Sequence, residues 1–140
     1  MDINDITGLI LKKAFEVHST LGPWLLESAY EECLFYELSQ CNLLVERQKA
    51  LPIIYKGIKV DAGYRLDIVV NNCVIVELKS VETLHPIHTS QLITYLKLSN
   101  IKHGLLINFN VKSLKESKSG FDFSAVSSHN RIVNANRVQV

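Results

Sequence analysis

Residues Arg65 to Ser80 read RLDIVVNNCVIVELKS, and the way this stretch pairs with itself decides the fold. Two runs rich in valine and isoleucine, Tyr64 to Val70 and Cys73 to Lys79, flank Asn71-Asn72 and have the β-branched composition of strands. Asparagine tolerates the positive φ of tight turns, so the pair predicts a β-hairpin. Into this apolar hairpin the sequence places Asp67 on the first strand and Glu77 and Lys79 on the second. Side chains alternate along a strand, so Glu77 and Lys79 share a face. Register is the open question. A strict two-residue turn at Asn71-Asn72 pairs Leu66 with Glu77 and sends Asp67 to the opposite face, whereas a three-residue loop or a bulge brings Asp67 opposite Glu77.

Downstream, His85-Pro86 can open a helix with proline at its first position, running to about Ser99. Gly104 to Phe109, GLLINF, is short and apolar enough for a buried strand. Upstream, Leu44 to Tyr55 mixes β-branched and polar residues around Pro52, as an edge or bulged strand does, and Gly57 marks a turn. Ile6, Ile10, Ala14, Val17 and Leu21 recur every three or four residues and predict a helix from Ile3 to about Leu21, stopped by Gly22-Pro23. A second helix is expected from Leu25 to Ser39, with Leu26, Tyr30, Cys33, Leu34 and Leu38 inward and Glu31, Glu32 and Glu37 largely in solvent. Phe15, Tyr36 and Phe109 sit at core-like spacings. The resulting order is α-α-β-β-β-α-β, an α/β (α+β) arrangement. Past Lys112 the composition turns polar, so the expected organisation is one domain over 1–116 and a weakly held tail over 117–140, with a strand at Arg131 to Val133.

A chain of 140 residues with 47% hydrophobic content buries an ordinary core without staples. Its net charge of +1 gives no global field for nucleic acid and leaves a local basic patch open. Three cysteines, Cys33, Cys41 and Cys73, without a CxxC spacing argue against a disulfide framework or a zinc-thiolate site. The start of the chain has acids first and lysines at 12 and 13, unlike a signal peptide, and no apolar run reaches the roughly 20 residues of a membrane helix. A cytoplasmic protein with no membrane partner is expected.

Three charges in an apolar hairpin must be paired, solvated or bound to a metal. Asp67 and Glu77 converging on one point would suit Mg²⁺ or Mn²⁺, hard ions that take oxygen ligands and keep waters for chemistry. Lys79 beside them would orient the attacking water or stabilise transition-state charge, a set suited to phosphodiester hydrolysis. The competing reading of these residues alone is an exposed sheet edge with a Glu–Lys pair. His88, Gln91 and Tyr95 fall on one side of the third helix, either as a functional face or as a polar flank. His85 and His88 stand at a helix entrance, where capping or exposure is favoured over zinc binding. Arg47, Gln48, Tyr64 and Arg65 are candidates for phosphate contact, with surface charge the favoured reading.

The succession LGPWLLESAYEECLFYEL, ERQ, GYRLDIVV, VIVELKSVE, PIHTSQLITYLKLS and GLLINF resembles the GxxExxY protein family, a branch of the PD-(D/E)XK nuclease superfamily, from about Ile6 to Val111. The resemblance implies a restriction-endonuclease-like core, a central mixed sheet flanked by helices. It also implies a nuclease cleaving DNA or RNA with Mg²⁺ or Mn²⁺. Asp67, Glu77 and Lys79 would be its catalytic core and Glu27 a further acid, so that Glu27, Asp67 and Glu77 hold the metal. Gln91 and Tyr95, and Tyr30 of the motif itself, would position substrate. The sequence departs from the motif at its glycine, which is replaced by Trp24; this narrows the site or supplies a stacking surface. Two other functions stay open: a nucleic-acid- or protein-binding module without hydrolysis, and a hydrolase of small phosphoesters. The small surface of 140 residues points toward a homodimer or a partner protein if the substrate is a duplex.

Overall fold

The computed structural model describes residues 1–111, 123–127 and 132–133. Helix α1, Ile3–Leu21, begins at a reciprocal cap in which the Asp5 N–H donates to Asp2 Oδ1 (2.9 Å) and the Asp2 N–H to Asp5 Oδ2 (3.3 Å). Its stripe of Ile6, Ile10, Ala14 and Val17 is buried as the spacing requires, and the helix ends at Gly22, whose φ of 70° a side chain would resist. Helix α2, Glu27–Ser39, starts later than expected, because Trp24 at φ 74° turns the chain and leaves Leu26 exposed rather than inward. Its buried positions are Tyr30, Glu31, Leu34 and Leu38. Two further expectations fail here: Tyr36 is 63% exposed and not core, and Glu31 is 5% exposed and not in solvent.

The strands are β1 (Val45–Ala50), β2 (Ile53–Tyr55), β3 (Ile58–Val60), β4 (Arg65–Val70), β5 (Val74–Lys79), β6 (His103–Asn108), β7 (Phe123–Ser127) and β8 (Ile132–Val133). Helix α3, Pro86–Ser99, crosses over between β5 and β6. The main sheet runs β1-β4-β5-β6-β7-β8, with β5 and β6 parallel and the other neighbours antiparallel. Among the described strands only the pair joined by α3 is parallel, as a helical crossover demands. The single strand expected over Leu44 to Tyr55 is in fact two. Pro52 has no N–H for a ladder, so the chain leaves the sheet after β1, makes the separate β2-β3 hairpin and returns where the Leu51 N–H meets the Tyr64 carbonyl at 2.9 Å.

Helices α1 and α2 cover one face of the sheet, packing on Ile68, Val70, Val74, Val76, Leu78, Leu105 and Ile107. Helix α3 covers the other through Leu92 and Leu96, against Val69, Ile75 and Leu106. It lies so close to β6 that a Cβ on Gly104 would stand 3.0 Å from both Leu92 methyls. Residues 123–127, expected within a polar tail, instead form a sheet strand with Phe123 and Val126 buried. Ile132–Val133 pairs with it, inside the expected short strand. The rest of that expected tail lies outside the described residues.

Candidate active site

The register of the central hairpin settles the question posed by Asn71-Asn72. Val70 pairs with Val74 and Ile68 with Val76, so Asn71, Asn72 and Cys73 form a three-residue loop, closed by the Cys73 N–H on the Val70 carbonyl (3.0 Å). Asn71 and Asn72 both adopt left-handed φ, 51° and 53°. The next step of this register sets Asp67 against Glu77. There side chains replace the ladder: the Asp67 N–H donates to Glu77 Oε1 (3.2 Å), and the Leu78 N–H donates to Asp67 Oδ2 (3.0 Å). The two carboxylates are thus locked beside each other by the strands that carry them.

Glu77 is 6% exposed, and among the described residues neither it nor Asp67 has an ion-pair partner within 4.0 Å. Burial first, and then the charge of Asp67, push its carboxyl up to about 9, with Lys79 pulling the other way. Two acids pressed together without a cation are in the electrostatic condition that a divalent ion relieves. Their oxygens, with waters, make the kind of partial coordination shell that Mg²⁺ or Mn²⁺ accepts. Among the described residues no three His, Cys, Asp or Glu side chains come together as a group that could hold a metal, which leaves Asp67 and Glu77 as the two carboxylates an ion retaining its waters could use.

Glu27, in the first turn of α2, does not join the Asp67–Glu77 pair directly. Its Oε2 accepts the Ser80 N–H at 3.3 Å, just beyond Lys79, while the Ser80 hydroxyl donates to the Leu25 carbonyl (2.7 Å). The course of the chain there is fixed by buried Asn108, whose amide brackets Val81: Oδ1 accepts its N–H (3.1 Å) and Nδ2 donates to its carbonyl (2.8 Å). Lys79 is half-buried on the same strand face as Glu77. Tyr95 of α3 reaches the neighbourhood of the pair, and burial, then the charge of Glu77, raise its phenol pKa. It also meets the ring of Tyr64 at 6.3 Å. Gln91, one turn earlier, is exposed and makes no hydrogen bond among the described residues.

Tyr30, expected to position substrate, lies in the protein interior. It is fully buried, stacks on Phe109 at 4.6 Å, donates to the Gly22 carbonyl and accepts the Leu25 N–H (3.2 Å). It shapes the 22–25 loop that delivers Glu27 and has no surface for a substrate. His85 and His88 cap α3, the His85 N–H donating to His88 Nδ1 (3.1 Å), with no metal cluster around them among the described residues. Arg47 and Gln48 are tied to Glu31. The spacing 27, 31, 34, 38 on α2 would have placed Glu31 on the inward stripe, but its charge hid it. Buried His18, its Nε2 2.7 Å from the Val111 carbonyl, was likewise unforeseen and ties α1 to the end of β6.

The sequence model of the PD-(D/E)XK nuclease superfamily matches residues 4–119. The chain belongs to the PD-(D/E)XK nuclease superfamily. No curated protein and no solved structure shows significant similarity to it. Superfamily membership accounts for the mixed sheet with helices on both faces, the fold expected from the sequence. PD-(D/E)XK nucleases generally use divalent metals, and their substrates are nucleic acids. Among the described residues, no helix is long and apolar enough to cross a membrane.

Proposed function

We propose that this PD-(D/E)XK chain is a nuclease of the GxxExxY branch that hydrolyses phosphodiester bonds in DNA or RNA with Mg²⁺ or Mn²⁺. The observation that carries the reading is the juxtaposition of Asp67 and buried Glu77 at the end of an apolar hairpin, neither of them in an ion pair among the described residues. In this reading the two carboxylates hold the ion, which when bound supplies a water of lowered pKa and charge neutralisation at the phosphate. Glu27, standing on the Ser80 N–H, orients a water at the rim. Lys79 stabilises negative charge that develops on the phosphate oxygens. Tyr95 and Gln91 line the α3 side and position the nucleotide, and exposed Trp24 offers a base-stacking surface beside Glu27.

Three free cysteines fit a reducing, cytoplasmic setting. The β2-β3 hairpin leaves Tyr55, Ile58 and Val60 exposed, which supports a second copy or a partner protein as part of the working assembly. The test is Mn²⁺ and Mg²⁺ calorimetry, with labelled single- and double-stranded DNA and RNA, on the wild type, Asp67→Ala and Glu77→Ala. Metal binding and cleavage lost together in both variants are expected. Cleavage retained in either would sink the mechanism, and turnover of mononucleotides alone would move the protein to small phosphoesters.

A further inference from the structure

Gln48 stands on β1 at the position opposite Asp67, between the pairs Arg47↔Ile68 and Lys49↔Leu66, yet forms no ladder pair there. Its backbone has φ 51°, a left-handed conformation in the middle of a strand and on a residue with a full side chain. Such a conformation is strained for a residue with a Cβ and persists only where surrounding contacts hold it. The partner strand is irregular at the same level. Leu66 belongs to the core under α3, while Ile68, two residues on, belongs to the core under α1 and α2. Side-chain alternation is therefore broken on both strands where Gln48 faces Asp67.

The contacts explain what the break accomplishes. In a regular strand Arg47 and Gln48 would point to opposite faces. Here both reach the same buried carboxylate, Arg47 Nε donating to Glu31 Oε2 (2.7 Å) and Gln48 Nε2 to Glu31 Oε1. Glu31 is thereby held at both oxygens in a site where an unpartnered charge would be costly. Gln48 Nε2 also donates to Asp67 Oδ1 at 3.4 Å. One amide nitrogen has two hydrogens, so one is fixed on Glu31 and the other is aimed at Asp67. With the Leu78 N–H on Oδ2, both Asp67 oxygens then accept a hydrogen bond.

We propose that Gln48 is a positioning residue, locked by Glu31 and its own left-handed backbone, that presents the Asp67 carboxylate to the metal. The inference rests on the metal-nuclease reading above and adds to it the residue that orients one ligand. A carboxylate held by donors on both oxygens loses no rotational freedom on meeting the ion, and outer partners of this kind are typically worth 10–100-fold in metal affinity.

Gln48→Gly tests it on the full chain, because glycine accepts the left-handed φ while removing the amide that reaches both Glu31 and Asp67. Gln48→Glu keeps the length but turns the donor into a second negative acceptor between Glu31 and Asp67. Mn²⁺ calorimetry, single-turnover cleavage and thermal unfolding are measured on both variants and the wild type. The expected result is Mn²⁺ affinity weakened about 10–100-fold in Gln48→Gly and at least as much in Gln48→Glu. The maximal rate should fall and KM for polynucleotide stay unchanged, with Gln48→Gly still folded at the assay temperature although Glu31 Oε1 has lost its amide partner. Wild-type Mn²⁺ affinity in Gln48→Gly, or a loss matched by the fraction unfolded at the assay temperature, overturns the proposal. A wild type that binds Mn²⁺ without cutting polynucleotide overturns the nuclease reading alone, with Gln48 still judged on affinity; a wild type that binds no Mn²⁺ overturns both.

Discussion

In the proposed site a proton and a metal ion would compete for Glu77, and the competition has a defined direction. The carboxyl, ordinarily at 4.5, is lifted to about 9 by burial and by Asp67. In the metal-free protein it therefore keeps its proton across neutral pH, while in the unfolded chain it has already lost it. Folding then holds more protons than unfolding, so the stability contributed by this group is complete below pH 4.5 and is lost as pH rises toward about 9. Within that window each pH unit lowers the folding constant by up to about tenfold. Binding a divalent ion must expel the same proton, so Mn²⁺ affinity should climb by up to about tenfold per unit over the same range. Calorimetry at pH 7 in buffers of different ionisation enthalpy should count about one proton released per ion. Thermal melts should show the metal-free wild type losing stability from pH 6 to pH 8, while Glu77→Gln, neutral at every pH, loses far less. No proton release at pH 7, or melts in which wild type and Glu77→Gln share one pH profile, would refute the reasoning.

Lys79→Ala should lower the single-turnover rate about 10²–10³-fold with little change in Mn²⁺ affinity, since its proposed role is charge stabilisation in the transition state; rate and calorimetry together check this. Tyr30→Phe leaves the Gly22 carbonyl and the Leu25 N–H without their buried partner, and should cost about 1–3 kcal/mol in denaturant unfolding while slowing cleavage through a displaced Glu27. Gly104→Ala drives a methyl to 3.0 Å from Leu92 and should destabilise the protein by about 1–3 kcal/mol in the same assay. Trp24→Gly should change stability by less than about 1 kcal/mol, because glycine removes the left-handed strain but adds unfolded-state entropy. If the indole stacks on a base, KM for single-stranded substrate should nevertheless rise about 5- to 150-fold, equivalent to about 1–3 kcal/mol.

The helices and the central hairpin were legible because periodicity reports a buried face directly. The stripe from Ile6 to Leu21 and the valines around Asn71-Asn72 belong to that class. Loop length was not legible, since asparagines favour positive φ in a loop of two or of three residues. Yet that single residue decides whether Asp67 meets Glu77. Residues 123–127 were hidden by a polar neighbourhood in which only Phe123 and Val126 carry the core signal. Glu31 was misread because a charge on a helix is ordinarily solvated, and only its partners, Arg47 and Gln48 on a distant strand, make burial affordable. Sequence spacing locates residues on an element; it does not say which pair across elements.

Such cross-element pairing gives α2 a particular place in the site. Glu27 and Glu31 are one helical turn apart and point along one side of α2. The first holds the Ser80 N–H at the exit of β5, a strand end that Asn108 on β6 fixes independently through Val81. The second holds Gln48 on β1, and through it Asp67 on β4. One helix therefore registers β1 and β4 against β5, the strand that carries Glu77. Tyr30, between the two acids, anchors the start of the helix to Gly22 and Phe109 and fixes its position along its own axis. A displacement of α2 would move the Ser80 contact and the Gln48 contact together, so substitutions in its core face, far from the carboxylates, should weaken metal binding and catalysis as a unit and should be strongly non-additive with Gln48→Gly.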